Sequence, residues 1–308
     1  MATAAKAARL PATKRAHLSD RTKAEHRLGV LLSAPAVLVL LGVAGYPILQ
    51  AAYQSLFSYR LTTPDAREFV GLDNYVTILS DRVWWTDFGT TMEITVITVF
   101  FEFILGFAFA FVMYKLVFGR GVVRTAILVP YAVITVVSAY AWQYAFASDS
   151  GFVNPWLGLT QDWFGERGSA LFVICLSEIW KTTPFISLLL LAGLAQIPER
   201  LQQAAMVDGA TWWQRFRRVT LPNMQGAIMV ALLFRAVDAF RIFDNIFIMT
   251  AGAENTESVS ILAYRQTVSR TEIGLGSAVS ILLFLSVLLI CLVFIKLLRT
   301  PVGQVRGE

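Results

Sequence analysis

The chain has 308 residues, of which 56% are apolar and only 15% are charged, and its mean hydropathy is +0.61. Ordinary soluble domains carry about 25% charged residues, so this composition excludes a soluble globular protein and indicates a chain whose apolar surface faces lipid. The net charge of +5 does not indicate nucleic-acid binding, because most basic residues flank long apolar runs.

The cysteine and histidine content restricts the chemistry available to the chain. Cys175 and Cys291 lie within apolar runs, whereas His17 and His26 lie in the polar N-terminal stretch. Two such cysteines form neither a disulfide framework nor a four-ligand zinc site. Because the sequence also contains no G-x-x-x-x-G-K-[ST] phosphate loop, we expect no metal site, no catalytic site and no cofactor on this chain.

Six apolar runs are each long enough to cross a bilayer, which takes about 20 helical residues. The runs lack the short alternating pattern of β-barrel strands, so helices are expected. The sequence therefore predicts an all-α polytopic membrane protein with six transmembrane helices. These helices are predicted at 28–52, 88–114, 125–147, 169–194, 224–249 and 273–297.

The same pattern divides the chain along its length. A basic tail (1–27), expected to be disordered and attracted to membrane lipid, precedes the first helix and an extracytoplasmic loop (53–86). A five-helix core (87–297) and a short tail (298–308) follow. Of the 26 Lys and Arg residues, 17 lie in the N-terminal tail, in the loops after the second and fourth helices and at the C-terminal end from Lys296 onwards. This bias predicts a multi-pass protein of the plasma (inner) membrane with both termini in the cytoplasm.

The cytoplasmic loop at 195–223 reads AQIPERLQQAAMVDGATWWQRFRRVTLPN and is amphipathic rather than merely polar. We predict one short helix over Leu201–Val207 and a second around Trp212, with a break at Gly209 between them. Pro222 is expected to end the segment and to set the start of the next membrane helix. Such helices either lie flat on lipid or insert into a groove on a cytoplasmic partner.

This segment resembles the EAA loop of binding-protein-dependent ABC importer permeases, whose pattern is Glu-Ala-Ala, three residues, Gly, nine residues, Ile, one residue, Leu-Pro. The pattern is matched, with every spacing kept, by Gln203, Ala204, Ala205, Gly209, Val219, Leu221 and Pro222. The resemblance implies a coupling helix that docks on the ATPase subunit. The residues it assigns to coupling are Gln203, Ala204, Ala205, Asp208, Gly209, Phe216, Leu221 and Pro222. Gln203 replaces the Glu of the pattern, so a charged contact at that position is in doubt.

Two further stretches, EIWKTTPF in helix four and FRAVDAFRIFDNIF in helix five, resemble the sugar-importing branch of this family, including permeases that import trehalose. The resemblance implies a permease subunit working by alternating access. It implies three partners: a second homologous permease subunit, an ABC ATPase dimer that binds ATP and Mg, and an extracytoplasmic sugar-binding (lipo)protein. Another oligosaccharide or a glycerol-phosphate compound is the alternative substrate.

Helix five carries Arg235, Asp238, Arg241 and Asp244 at successive three-residue steps, although a charge in lipid costs about 2.5 to 3.5 kcal/mol. Two interpretations remain open. Alternating signs predict a self-neutralising ladder in which neighbours pair along the helix. Alternatively, Asp238, Arg241 and Asn245 line a wet translocation path and offer hydrogen bonds to sugar hydroxyls.

Polar residues in two other helices are further candidates. Tyr140 and Gln143 in helix three either contact a sugar ring or belong to an interfacial belt. Glu178 and Lys181 in helix four are expected to pair with each other. A secondary transporter driven by an ion gradient remains the rival function, with the helix-five carboxylates carrying the ion, although no internal repeat supports it.

Overall fold

The computed structural model describes residues 20–63, 65–116 and 118–302, and the outer parts of both predicted tails lie outside them. The described residues are mostly helical and form only two short strands, which confirms the predicted all-α class. The chain divides between Gln50 and Ala51 into two units.

The first unit consists mainly of one long helical run. Helix α1 (Asp20–Leu40) passes through a π-helical turn (Leu41–Gly45) into α2 (Tyr46–Gln54). Its apolar side chains, for example Leu31 and Leu38, are exposed around the helix. A helix that is apolar on every side and unburied is suited to a lipid environment.

The second unit contains a small β-hairpin near its start. Strands β1 (Phe57–Ser58) and β2 (Glu68–Phe69) pair antiparallel and are followed by helix α3 (Asp73–Ser80). The guanidinium of Arg67 lies 4.1 Å from the centroid of the Phe57 ring, a cation–π contact that fixes the two strands together.

Two long helices form the centre of the second unit. Helix α4 (Arg82–Lys115) packs along much of the length of α8 (Arg167–Ala195). A Cβ added to Gly106 would lie 2.7 Å from Cγ2 of Ile186, so only glycine permits this approach. Small residues at such crossings let membrane helices pack closely.

The third predicted helix is broken. Helices α5 (Arg120–Ala132) and α6 (Thr135–Ala145) meet at an angle of 86°, because the two residues between them are extended. The prediction of one straight helix over 125–147 is therefore wrong. A five-residue helix, α7 (Val153–Leu157), precedes α8.

The coupling loop and the fifth predicted helix also differ from expectation. Helix α9 (Glu199–Val207) is followed by α10 (Trp212–Arg215), which runs through a π-helical turn into α11 (Leu221–Ala239) without a break. Helix α11 then ends, and the short α12 (Asp244–Met249) follows. The run at 224–249 is thus two helices rather than one.

The last part contains α13 (Val259–Tyr264), a π-helical turn (Arg265–Ser269) and α14 (Ile273–Val302). Within the described residues, four helical runs are long and apolar enough to span a membrane, and the bent α5–α6 pair makes a fifth. The count of six spans stays a prediction. The four unbroken runs are Arg27–Gln54, Arg82–Lys115, Arg167–Ala195 and Ile273–Leu297.

Candidate functional site

A polar cavity of about 570 Å³ lies where the two broken helical segments meet α8. One break separates α5 from α6, and the other separates α11 from α12. This volume falls within the range of about 300 to 1,000 Å³ typical of small-molecule sites. The cavity is lined by Tyr131, Ala132, Val133, Ile134, Thr135, Glu178, Lys181, Thr182, Asp238, Arg241, Ile242, Phe243, Asp244 and Asn245.

The break after α11 places charged residues at the cavity. Phe240 and Arg241 form a turn after α11, and Phe243, just before α12, has a non-helical backbone conformation (φ −138°, ψ −62°). Non-helical backbone within a membrane-spanning region is tolerated only where protein buries it or where it lines an aqueous cavity. The location of this break beside a polar cavity satisfies that condition.

A buried ionic network lies beside the cavity and is centred on Arg235 near the end of α11. Arg235 is 0% exposed, and its Nη2 donates to Oε1 of Glu102 on α4 and to Oε1 of Glu178 on α8, both at 2.9 Å. Its Nε donates to the other oxygen of Glu102, and its Nη1 donates to Asp238 at 2.7 Å. Pairing of this kind offsets the high cost of burying charges away from water.

Two neutral side chains complete the network. Thr182 Oγ1 lies 2.6 Å from Oε1 of Glu102, to which it donates, and Asn245 Nδ2 donates to Oε2 of Glu178. Asn245 is 1% exposed, and its Oδ1 has no hydrogen-bond partner among the described residues. Because an ionised carboxylate only accepts hydrogen bonds, Glu178 fixes the amide with its nitrogen towards α8.

The structure corrects two predicted pairings. The three-residue ladder of helix five does not form as a continuous series, because the helix ends between Asp238 and Arg241 and only the Arg235–Asp238 step is an ion pair. Glu178 pairs with Arg235 rather than with Lys181. The Nζ atom of Lys181 instead lies 5.7 Å from the centroid of the Tyr131 ring.

Of the five residues predicted for the translocation path, three line the cavity and two do not. Asp238, Arg241 and Asn245 line the cavity together. Gln143 donates to the backbone carbonyls of Ile248 and Met249, at 2.8 and 3.4 Å, and so fastens α6 to α12. Tyr140 is exposed and is not among the cavity residues. A role in translocation stays a prediction for all five.

Glu102, Glu178 and Thr182 were not predicted as members of a site, although they surround Arg235. A signal was present in the sequence, because ionisable residues in membrane runs need partners. Sequence spacing could not assign those partners across helices. The rotation of α4, α8 and α11 about their axes determines which side chains meet.

The coupling segment has the two predicted short helices, α9 and α10. Gly209 lies between them with φ +75°, a left-handed conformation that favours glycine. Thr211 then starts α10 with a capping box, in which its side chain accepts from the Gln214 backbone N–H and the Gln214 side chain accepts from the Thr211 N–H. These features fix the turn between the helices.

Pro222 lies in the first turn of α11, as predicted for the start of the next helix, but it does not separate the coupling segment from that helix. The π-helical turn at Phe216–Thr220 bonds the N–H of Leu221 to the carbonyl of Phe216, five residues earlier. A proline in the first turn of a helix needs no N–H partner, so Pro222 fits directly after this turn. Helical structure therefore continues from α10 into α11.

An aromatic cluster holds the coupling segment against α4. The ring of Phe216 packs on Phe107 and Phe111, with centroids 5.5 and 5.7 Å apart, and stacks on Trp212 at 5.6 Å. Gln203 lines an adjacent groove of about 260 Å³. Of the other predicted coupling residues, Ala204, Asp208, Gly209 and Pro222 are exposed, whereas Ala205 and Leu221 are half-buried.

Comparison with known proteins defines the class. Residues 102–299 match the family described as binding-protein-dependent transport system inner membrane component, and the chain belongs to this family. It is therefore a multi-pass permease component of a binding-protein-dependent transporter.

Individual relatives cover nearly the whole chain. The trehalose transport system permease protein SugA of Mycobacterium tuberculosis is 48% identical over 92% of this chain and 94% of its own length. The trehalose/maltose transport system permease protein MalF of Thermococcus litoralis is 39% identical over 89% of this chain and 95% of its own. A permease chain of a bacterial ABC transporter that imports the acidic polysaccharide alginate has the same fold (TM-score 0.74, 20% identity, covering 93% of this chain and 100% of that chain).

Proposed function

We propose that this chain is the permease subunit of an ATP-driven importer of trehalose. The observation that carries the proposal is the 48% identity, over 92% of the chain, to a trehalose transport permease. We further propose that the chain is not itself catalytic and binds no cofactor, and that a partner ATPase dimer supplies ATP and Mg. A second homologous permease subunit and an extracytoplasmic sugar-binding (lipo)protein complete the transporter in the inner membrane.

The cavity supports a polyhydroxylated substrate. Its lining combines donors from Lys181 and Arg241 with acceptors from Asp238 and Asp244. A disaccharide presents hydroxyl groups that both donate and accept, so a mixed lining can bond several of them at once. Asn245 also lies at the cavity, although its unpartnered Oδ1 is buried.

The coupling segment supports energy transfer from an ATPase. Its exposed apolar side chains, Met206, Val207 and Trp213, form a surface suited to a cleft on a cytoplasmic partner. When the ATPase dimer closes on ATP, it displaces this segment, and the attached helices α8 and α11 move with it. The cavity then opens to the outside, and hydrolysis returns it to the inward-open state.

Transport by the complete transporter in proteoliposomes tests this function. Labelled trehalose should enter only when ATP and the binding protein are both supplied, and maltose and sulfoquinovosyl glycerol should serve as specificity controls. Sulfoquinovosyl glycerol is chosen because a transport permease named for it, from Agrobacterium fabrum, is 34% identical. Uptake by the purified chain alone, driven by an ion gradient, would contradict the proposal in favour of a secondary transporter.

A further inference from the structure

One carboxylate holds both sides of the break in the fifth predicted span. Oε1 of Glu178 accepts from Arg235, which precedes the break, and Oε2 accepts from Asn245, which follows it. Glu178 is 7% exposed, so water does not replace either bond readily. The carboxylate therefore fixes α12 relative to α11 at the point where the backbone between them is not helical.

The same network extends to α4 and locks Arg235 in place. Glu102 receives two hydrogen bonds from Arg235 and one from Thr182 of α8. Paired bonds between a guanidinium and a carboxylate are strong and directional. Four helices, α4, α8, α11 and α12, thus meet at one charged cluster beside the cavity.

Both ends of the coupling segment are connected to helices of this cluster. Helix α8, which carries Glu178, ends at Ala195, and three residues separate it from α9. Helix α11, which carries Arg235, continues from α10 through the π-helical turn. Near the segment the two helices are in tight contact, because a Cβ added to Gly193 would lie 2.5 Å from Cβ of Ala227.

We propose that Glu178 is a positioning residue that makes α12 follow the movement of α8 and α11, so that displacement of the coupling segment reshapes the cavity. The inference rests on the proposed function. It identifies Glu178 as the residue through which movement of the coupling segment reaches the cavity. Without the carboxylate, α12 and its Asn245 move independently of the coupling segment. ATP hydrolysis then proceeds without a matching change at the cavity.

The first experiment measures ATP hydrolysed per trehalose imported by the complete transporter in proteoliposomes. Glu178→Gln should raise this ratio by about tenfold, the effect of weakening one hydrogen bond to a charged group, while the subunits still assemble. Glu93→Gln is the matched control, because Glu93 lies on α4 in an exposed ion pair with Arg167. An unchanged ratio in Glu178→Gln, with normal transport by the wild type, would overturn the inference but not the proposed function.

A second measurement does not require the Glu178→Gln variant to fold. Spin labels attached at Phe172→Cys on α8 and Phe247→Cys on α12 report the distance between these helices, and both positions are exposed. In the otherwise wild-type transporter this distance should stay constant between the ATP-bound and nucleotide-free states. A change of several ångströms between the states would show that α12 moves separately, and the inference would be wrong. Failure of the wild type to import trehalose would instead count against the proposed function.

Discussion

At the scale of single residues, the most informative side chain is Arg235, which is the largest fully buried side chain in the described part of the chain. Burial of a guanidinium in a membrane protein requires compensation by acceptors, and here Glu102 and Glu178 supply it from two other helices. Asp238 is a third partner of Arg235, although its side chain is 70% exposed. The cluster therefore joins the protein interior to a polar surface.

Removing one partner from this cluster should destabilise the protein strongly. Glu102→Ala leaves the buried Arg235 without its two-bond partner, and loss of one member of a buried pair costs about 3 to 5 kcal/mol. Thermal unfolding of the purified transporter in detergent should show a clearly lower Tm. Glu93→Ala, which removes one member of an exposed pair on the same helix, is the control, and such pairs contribute about 0 to 1 kcal/mol. If the two substitutions lowered the Tm equally, the buried cluster would not contribute more to stability than the exposed pair, and the prediction would be wrong.

Glu257, in the outer loop between α12 and α13, predicts a dependence of stability on pH. Arg265 lies 2.5 Å from its Oε2, but burial outweighs this pairing and raises the pKa of Glu257 above its ordinary value of 4.5. Its Oε1 has no hydrogen-bond partner among the described residues, which also disfavours the ionised form. A raised pKa in the folded state adds stability at pH values below the ordinary pKa, and this stability is lost as the pH rises through the raised pKa.

The measurement is Tm as a function of pH for the wild type and for Glu257→Gln, whose amide does not titrate. As the pH rises above 4.5, the wild type should lose stability relative to the variant, because only the wild type must ionise a buried carboxyl group. If the Tm of the wild type instead rose relative to that of Glu257→Gln over the same pH interval, the prediction would be contradicted.

At the scale of elements, the interruptions in the helices are as important as the helices themselves. The bend between α5 and α6 and the gap between α11 and α12 both border the polar cavity. By contrast, the π-helical turn after α10 preserves helical continuity and joins the coupling segment to α11. The helices are therefore broken beside the proposed substrate path. They are continuous where force is proposed to pass from the coupling segment to α11.

Substitution of Gly209 tests whether coupling requires the left-handed turn between α9 and α10. Gly209→Val should reduce trehalose uptake by about tenfold, because a left-handed valine costs about 1 to 2 kcal/mol and displaces α9 relative to α10. No atom lies within 4 Å of a Cβ added there, so the effect comes from the backbone and not from a clash. The measurement is ATP-dependent uptake together with the amount of chain inserted in the membrane.

Gly226→Val is the control for this substitution. Gly226 is also free of neighbours within 4 Å, but it lies in α11 and not in a left-handed turn. Near-normal uptake is expected for this variant. If Gly209→Val transported as well as Gly226→Val, the segment would not require the left-handed turn for coupling.

At the scale of the whole molecule, the charge distribution of the loops predicts the orientation in the membrane. The excess of Lys and Arg in the tails and in the coupling loop favours their retention in the cytoplasm. The loops that this distribution places outside the cytoplasm include the strand hairpin and the segment around Glu254. These are the surfaces on which a sugar-loaded binding protein is proposed to dock.

Reporter fusions test whether the last apolar run crosses the membrane in the predicted direction. A fluorescent protein that folds only in the cytoplasm should fluoresce when fused after residue 308 and should stay dark when inserted next to Glu254. Alkaline phosphatase, which is active only outside the cytoplasm, should give the opposite pattern at the same positions. Fluorescence at both positions would mean that the last run does not cross the membrane.

The sequence by itself determined the features that depend on local composition. Long apolar runs predict helices in lipid because every backbone group must be bonded within the segment, and the all-α class follows. The coupling segment could also be recognised from the sequence, since Gln203, Ala204, Ala205, Gly209 and Leu221 occur at fixed spacing within one loop. Its two short helices and the break at Gly209 are likewise local.

Only the tertiary structure decided which buried charges are partners. Arg235 meets Glu102 from 133 residues away and Glu178 from 57 residues away, whereas spacing along one helix favoured partners three residues away. The physical reason is that a charge in a membrane must be paired, but the rotation and crossing of the helices determine which partner lies within reach. The ends of α5 and α11 also depend on the tertiary structure. A helix can break there because a polar cavity lies beside it, and the apolar sequence of these runs does not predict such a break.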